Sequence, residues 1–144
     1  IETKIFVHLI LSQRSLDDYK KLDTDLNKVE MYAINDIIYS VVYNLVDNAI
    51  KYNKLGGSIK ISTYQEKDKA VLVVSDTGIG IPKESIDRIF ERFYRVDKSH
   101  SREIGGTGLG LSIVKHALLI HDAKIEVDSE LEKGTTFKVT FPII

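Results

Sequence analysis

The order of apolar patterns along the chain predicts a two-layer α/β sandwich of the α+β kind. One mixed, mostly antiparallel five-stranded sheet carries about three helices on one face. Three observations predict it. The strand-like runs come mostly in pairs separated by short polar turns, so they read as hairpins. One long amphipathic segment precedes the first hairpin, and a second firm helical segment precedes the last. A regular strand–helix–strand alternation is missing, which counts against a doubly wound dinucleotide fold. The 144 residues are 43% hydrophobic and 28% charged, enough for one core and too polar for a membrane-embedded chain. The net charge of −1 lacks the basic footprint of a general nucleic-acid binder. The absence of cysteine excludes disulfides, zinc–thiolate sites and thiol nucleophiles. The chain starts on Ile and ends on an apolar run, so it reads as a single domain, 1–144, cut from something longer.

The elements follow in order. Residues 5–20 carry a loose helical pattern; their apolar stretch, broken by His8, is far too short to span a bilayer. Residues 28–33 (KVEMYA) alternate like a short strand. Asn35 or Asp36 can cap a long helix running to about Tyr52, closed by Asn53 and Gly56-Gly57. Residues 58–65 and 70–75 form a hairpin around the charged turn 66–69. The run 78–82 breaks the pattern, and Pro82 stands just before a short helix over 83–90. From 91 to 106 there is charge, serine and glycine without periodicity. That is a long loop, and such loops in compact domains are usually functional. A helix over 109–121 and a hairpin of 124–127 with 136–141 complete the chain.

Three constellations carry chemistry. On the long helix, Asn44, Asn48 and Lys51 fall within roughly 60° of one another, about a quarter-turn from the apolar stripe of Val41, Val42, Leu45 and Ala49. Amide oxygens suit Mg²⁺, which takes the rest of its shell from water and phosphate, and the ammonium is a point charge for a phosphate chain. A solvated polar flank explains the same residues equally well. Second, Asp76-Thr77-Gly78-Ile79-Gly80-Ile81-Pro82 follows an apolar strand. A carboxylate at a strand end can accept an amino group at a pocket floor, with glycines permitting close approach or positive φ. Adenine offers such an amine; guanine presents a carbonyl there. An ordinary strand-to-helix turn is the competing explanation. Third, Gly105-Gly106-Thr107-Gly108-Leu109-Gly110 runs straight into a helix, whose free N–H groups and dipole favour phosphate. A flexible tether fits that glycine load less well. The spacing matches neither G-x-G-x-x-G nor G-x-x-x-x-G-K-[ST]. The Asp-Thr-Gly triplet also suggests an aspartic protease, but that reading leaves the asparagine helix and the second glycine cluster unused.

In this order the motifs resemble the catalytic ATP-binding domain of a bacterial sensor histidine kinase, over roughly residues 30–142. NLVDNAIKY (44–52) is similar to the N box, DTGIGIP (76–82) to the G1 box, IFERFYR (89–95) to the F box and 106–110 to the G2 box. The closing GTTF (134–137) also matches. The F box is most similar to phosphate-type sensors of the membrane class. The wider superfamily of chaperone and topoisomerase ATPases shares the N and G boxes.

The resemblance implies a Bergerat ATP-binding fold, ATP and Mg²⁺ as cofactors, and a role for each matched residue. Asn48 would ligate Mg²⁺ with Asn44 beside it at the phosphates. Lys51 would meet phosphate oxygens, and Tyr52 would pack near adenine and ribose. Asp76 would accept the adenine amine, supported by Thr135 through water. Gly78, Gly80 and Ile81 would line the base. Residues from about 91 to 106 would be a mobile lid, with Phe90 and Phe93 anchoring its stem to the core or to a partner domain. Arg95 would reach the γ-phosphate, with Arg92 and Arg102 as weaker candidates. Gly106, Thr107, Gly108, Leu109 and Gly110 would line the triphosphate.

An amide at position 44, where the superfamily's ATPases carry a glutamate, cannot act as general base. The implied reaction is therefore transfer to a histidine on a dimerisation domain outside this chain, and then to a response regulator. The resemblance further implies a monomeric cytoplasmic fragment of a membrane-anchored homodimer. His8, His100, His116 and His121 read as structural or surface residues, and Asp122-Ala123 departs from the glycine-bearing turn of the family. An ATPase or serine kinase of the same superfamily, or a degenerate docking module, are the alternatives.

Overall fold

In the computed structural model, residues 21–26, 35–54, 56–94 and 110–143 are described. The expected helix over 5–20 and strand over 28–33 lie outside them. The described elements are β1 (Lys21–Leu26), α1 (Asn35–Lys51), β2 (Ser58–Glu66), β3 (Lys69–Asp76) and α2 (Lys83–Ile86). After these come α3 (Gly110–Ile120), β4 (Lys124–Glu130) and β5 (Gly134–Pro142).

The sheet has strand order β1-β2-β3-β5-β4. Four strands pair antiparallel, β2 with β3, β3 with β5 and β5 with β4. β1 adds to the edge in parallel, Lys21 opposite Ser58. The expected mixed, mostly antiparallel sheet is therefore present, with Lys21–Leu26 as an edge strand that the sequence pattern does not point to. The sequence KLDTDL has only two apolar residues, too few to advertise a strand. Parallel pairing requires a crossover between β1 and β2, and α1 is that crossover.

The core lies between one face of the sheet and the helices. α1 contributes Ile38, Val41, Val42, Leu45, Val46 and Ala49, and α3 contributes Val114, Ala117 and Leu118. The alternate residues Ala70, Leu72 and Val74 of β3 meet them, as do Phe137, Val139 and Phe141 of β5. This is the two-residue period of a strand with one face covered. β4 exposes Lys124, Glu126, Asp128 and Glu130, charges that discourage edge-to-edge pairing.

Two local outcomes differ from expectation. The helix after Pro82 is one turn, Lys83–Ile86, followed by turns to Phe90. The end of α3 needs no glycine. Ala123 N–H donates to the Leu118 carbonyl and Asp122 N–H to that of Leu119, with Asp122 at φ 54. This is a Schellman cap with aspartate in the left-handed position.

Candidate functional site

At one end of the sheet, four strands align Ile59, Asp76, Thr135 and Ser129 as successive cross-strand partners. Directly paired residues share a face, so this row faces the helices. Asp76 ends β3, and its Oδ1 accepts from the Gly78 N–H at 2.8 Å. Burial pushes its carboxyl up from 3.8 to about 6, while the Gly78 and Thr135 N–H groups pull the other way. Among the described residues no lysine or arginine pairs with it. An acceptor so placed suits a neutral donor such as an amine.

The glycines hold the loop at 77–82 against three elements. A Cβ on Gly78 would lie 2.1 Å from the Tyr52 carbonyl at the end of α1. One on Gly80, which has φ 76, would strike the Glu130 carbonyl at 2.2 Å. One on Gly134, at φ 126, would meet the Asp76 carbonyl at 1.9 Å. Protein backbone, packed where the Cβ would go, is thus what requires glycine at these positions. The Ile79 N–H donates to the Tyr52 carbonyl, and the Glu132 N–H donates to the Ile79 carbonyl. Ile81 is half-buried and its N–H donates to Ser129 Oγ at 2.8 Å.

α1 presents the expected polar flank. Asn44, Asn48, Lys51 and Tyr52 are all half-buried, beside the fully buried Val41, Val42 and Leu45. Asn44 donates through Nδ2 to the Ser40 carbonyl at 2.7 Å. A Cβ on Gly110 would lie 3.0 Å from Asn44 Oδ1, so the first residue of α3 rests on the asparagine flank. Lys51 pairs with Asp47 at 3.2 Å. No group of three or more His, Asp or Glu among the described residues could hold a metal ion. The half-buried amides at 44 and 48 carry neutral oxygen donors, a type of ligand compatible with a phosphate-borne Mg²⁺ that takes the rest of its shell from water and phosphate.

Phe90 and Phe93 part company. Phe90 packs on the core, with the Lys115 ammonium 5.8 Å from its ring centre. Phe93 is 63% exposed at φ 66. Buried Ser85 shares a 2.8 Å hydrogen bond with the Tyr94 hydroxyl, and the Arg88 guanidinium lies 4.4 Å over the Tyr94 ring. Arg92 is exposed and lies over the Phe93 ring. Arg95, Arg102, His8, His100, Gly106, Thr107, Gly108 and Leu109 lie outside the described residues. His121 bonds through Nδ1 with the Ala117 carbonyl and meets Phe141 edge-on, while His116 is exposed. Both are placed as surface or structural residues.

Several contributors escape a sequence reading. Asn53 Nδ2 donates to the Ser58 carbonyl, and Thr77 Oγ1 accepts the Ser58 N–H at 2.8 Å. These bonds tie α1, β2 and the end of β3 together. Ser129 Oγ bonds the Gly134 carbonyl and Thr135 Oγ1. Only the exact hairpin register places Ser129 beside Thr135, and periodicity alone does not fix that.

Comparison with known proteins places the chain in a family. Residues 33–144 match the family described as histidine kinase-, DNA gyrase B- and HSP90-like ATPase. The signal transduction histidine-protein kinase ArlS of Staphylococcus aureus is 49% identical over 92% of this chain and 30% of its own length. The sensor histidine kinase RppB of Synechocystis is 42% identical over 85% of this chain and 27% of its own. The chain thus spans under a third of these curated relatives. Among solved structures, the mycobacterial sensor histidine kinase MprB superposes with TM-score 0.88 at 28% identity, covering 99% of this chain and 96% of that one. The catalytic domain of histidine kinase ThkA gives 0.82 at 25% identity, covering 98% and 94%. No helix among the described residues is long and apolar enough to cross a membrane. The chain belongs to the family of histidine kinase-, DNA gyrase B- and HSP90-like ATPases, within its sensor histidine kinase branch.

Proposed function

We propose that this chain binds Mg·ATP and presents the γ-phosphate to a histidine on the dimerisation domain of a two-component sensor kinase. The observation that carries the reading is Asp76: a half-buried carboxylate, held by backbone N–H groups, at the meeting point of α1, the 77–82 loop and the β4–β5 turn. It accepts the adenine amine, with Gly78, Gly80 and Ile81 around the base and Tyr52 nearby. Thr135 supports Asp76 from the adjoining strand. Asn48 and Asn44 offer amide oxygens toward Mg²⁺ and the phosphates, and Lys51 exchanges its Asp47 partner for phosphate oxygens. The family resemblance adds Gly106, Thr107, Gly108, Leu109 and Gly110 along the triphosphate and Arg95 against the charge of the transferring group, and of these only Gly110 lies among the described residues.

The bound ion supplies charge neutralisation at the phosphates. The protein's part is positioning, which is most of what phosphoryl transfer requires. Asn44 stands where a water-activating base would be needed for hydrolysis, and an amide cannot take that proton. That favours transfer over steady hydrolysis. On this reading the partners are a dimerisation domain and a response regulator downstream, and the parent protein is a membrane-anchored homodimer; the likeness to a sensor histidine kinase and a signal transduction histidine-protein kinase supports the signalling role.

Calorimetric titration of the chain with Mg·ADP tests the site. Binding that is lost in Asn48→Asp and in Asp76→Asn, both still folded, is the expected result. Wild-type affinity in either variant removes the assignment. Phosphate release at a steady rate by the pure chain would instead favour an ATPase.

A further inference from the structure

We propose that Ser129 is a positioning residue that locks the Thr135 hydroxyl as a pure acceptor beside Asp76, and thereby sets a preference for a base bearing an amino group over one bearing a carbonyl. This rests on the nucleotide reading above and deepens it. A serine hydroxyl has one proton and two lone pairs. Ser129 Oγ donates that proton to the Gly134 carbonyl at 3.1 Å and accepts the Ile81 N–H at 2.8 Å. Its remaining neighbour, Thr135 Oγ1, lies 2.8 Å away. The carbonyl cannot donate, so all three contacts are hydrogen bonds at once only when the serine proton goes to Gly134 and Thr135 donates to Ser129. The threonine proton therefore points toward β4, along the row and away from Asp76.

Thr135 pairs directly with Asp76 across the β3–β5 ladder, so their side chains share the face that lines the site. The floor then presents a carboxylate and a hydroxyl that can only accept. A ligand amine, or a water donating to both, satisfies them. A ring carbonyl meets two acceptors and no donor, and an unmatched buried polar group is the strongest source of discrimination between similar ligands. Remove the Ser129 hydroxyl and the Thr135 proton is released. It can turn toward the base, offer a donor to a ring carbonyl, and compete with the amine for Asp76.

The test uses this chain, Mg·ADP and Mg·IDP, the inosine base carrying a carbonyl where adenine carries its amine. Affinities are measured by calorimetry for wild type, Ser129→Ala and Ser129→Thr, with thermal melts alongside. The wild type should favour ADP. Ser129→Ala should lower the ADP-to-IDP affinity ratio by on the order of tenfold, as one hydrogen bond gained or lost implies. Ser129→Thr, which keeps the hydroxyl, should restore it. A purely structural serine would lower both affinities together and leave the ratio unchanged, and that result overturns the proposal. So does a folded Ser129→Thr that fails to restore the ratio. Should Ser129→Ala melt below the assay temperature, Ser129→Cys keeps the volume with a weak hydrogen-bonding group and must show the same change. A wild-type chain that binds no ADP instead defeats the nucleotide reading itself.

Discussion

Asp76 carries two pH effects of opposite use. Its carboxyl titrates near 6 when folded, against 3.8 for the ordinary group, because burial disfavours the charge. Below pH 4 both folded and unfolded chains are protonated there, and the favourable contribution is intact. As pH rises from 4 through 6, the unfolded chain ionises first, so that stability is lost; it stays lost above 6. After discounting for partial exposure the loss is about 2 kcal/mol. Asp76→Asn cannot ionise, so its melting temperature relative to wild type should rise between pH 4 and pH 7.5. Denaturation followed by circular dichroism at both values checks it, and a constant difference contradicts it. Ligand binding runs the other way. The acceptor is complete only when ionised, so Mg·ADP affinity should increase as pH rises from 5 to 7. At this scale the sequence was most legible where a residue type is rare for its setting, as with two asparagines one turn apart on a buried helix. Ser129 was not legible, because serine in a strand is unremarkable until its cross-strand neighbour is known.

Among the elements, legibility follows patterning. α1, the β2–β3 hairpin, α3 and the β4–β5 hairpin announce themselves by period and by turn residues, and their observed bounds fall within a few residues of expectation. β1 does not, since KLDTDL alternates weakly and its place comes from parallel pairing with β2. The roles of Gly78 and Gly80 were legible only in part. Glycine was needed there, but each is demanded by protein backbone from a distant element. Two substitutions test element-scale strain in opposite directions. Asp122 holds the left-handed cap of α3 at φ 54, a conformation that costs a non-glycine residue about 1 kcal/mol. Asp122→Gly should stabilise the chain by about 0.5–1 kcal/mol in a urea titration. Gly134→Ala places a Cβ against the Asp76 carbonyl at a φ that only glycine adopts readily. It should destabilise by about 2–4 kcal/mol and weaken Mg·ADP binding.

Taken as a whole molecule, the site is a junction more than a cleft in one element. The end of α1, the 77–82 loop and the β4–β5 turn meet through close glycine contacts and the Asn53–Ser58–Thr77 bonds, and the first residue of α3 rests on the Asn44 side chain of α1. These pieces are far apart in sequence, so each is positioned only once the sheet and both long helices have packed. A ligand held by all of them should then recognise the folded state alone. Its free energy of binding adds to stability as RT ln(1 + [L]/Kd), about 2.7 kcal/mol at a hundredfold excess over Kd. For a chain of this size that corresponds to a melting temperature higher by roughly 6–10 °C. The increase should grow with the logarithm of Mg·ADP concentration and shrink when Mg²⁺ is chelated, because on the proposed reading the amide oxygens at 44 and 48 act through the phosphate-borne ion. Asp76→Asn should remain folded and show no increase at all, since its loss falls on the base and not on the scaffold. A nucleotide-induced increase of wild-type size in that variant would place the ligand elsewhere on the molecule.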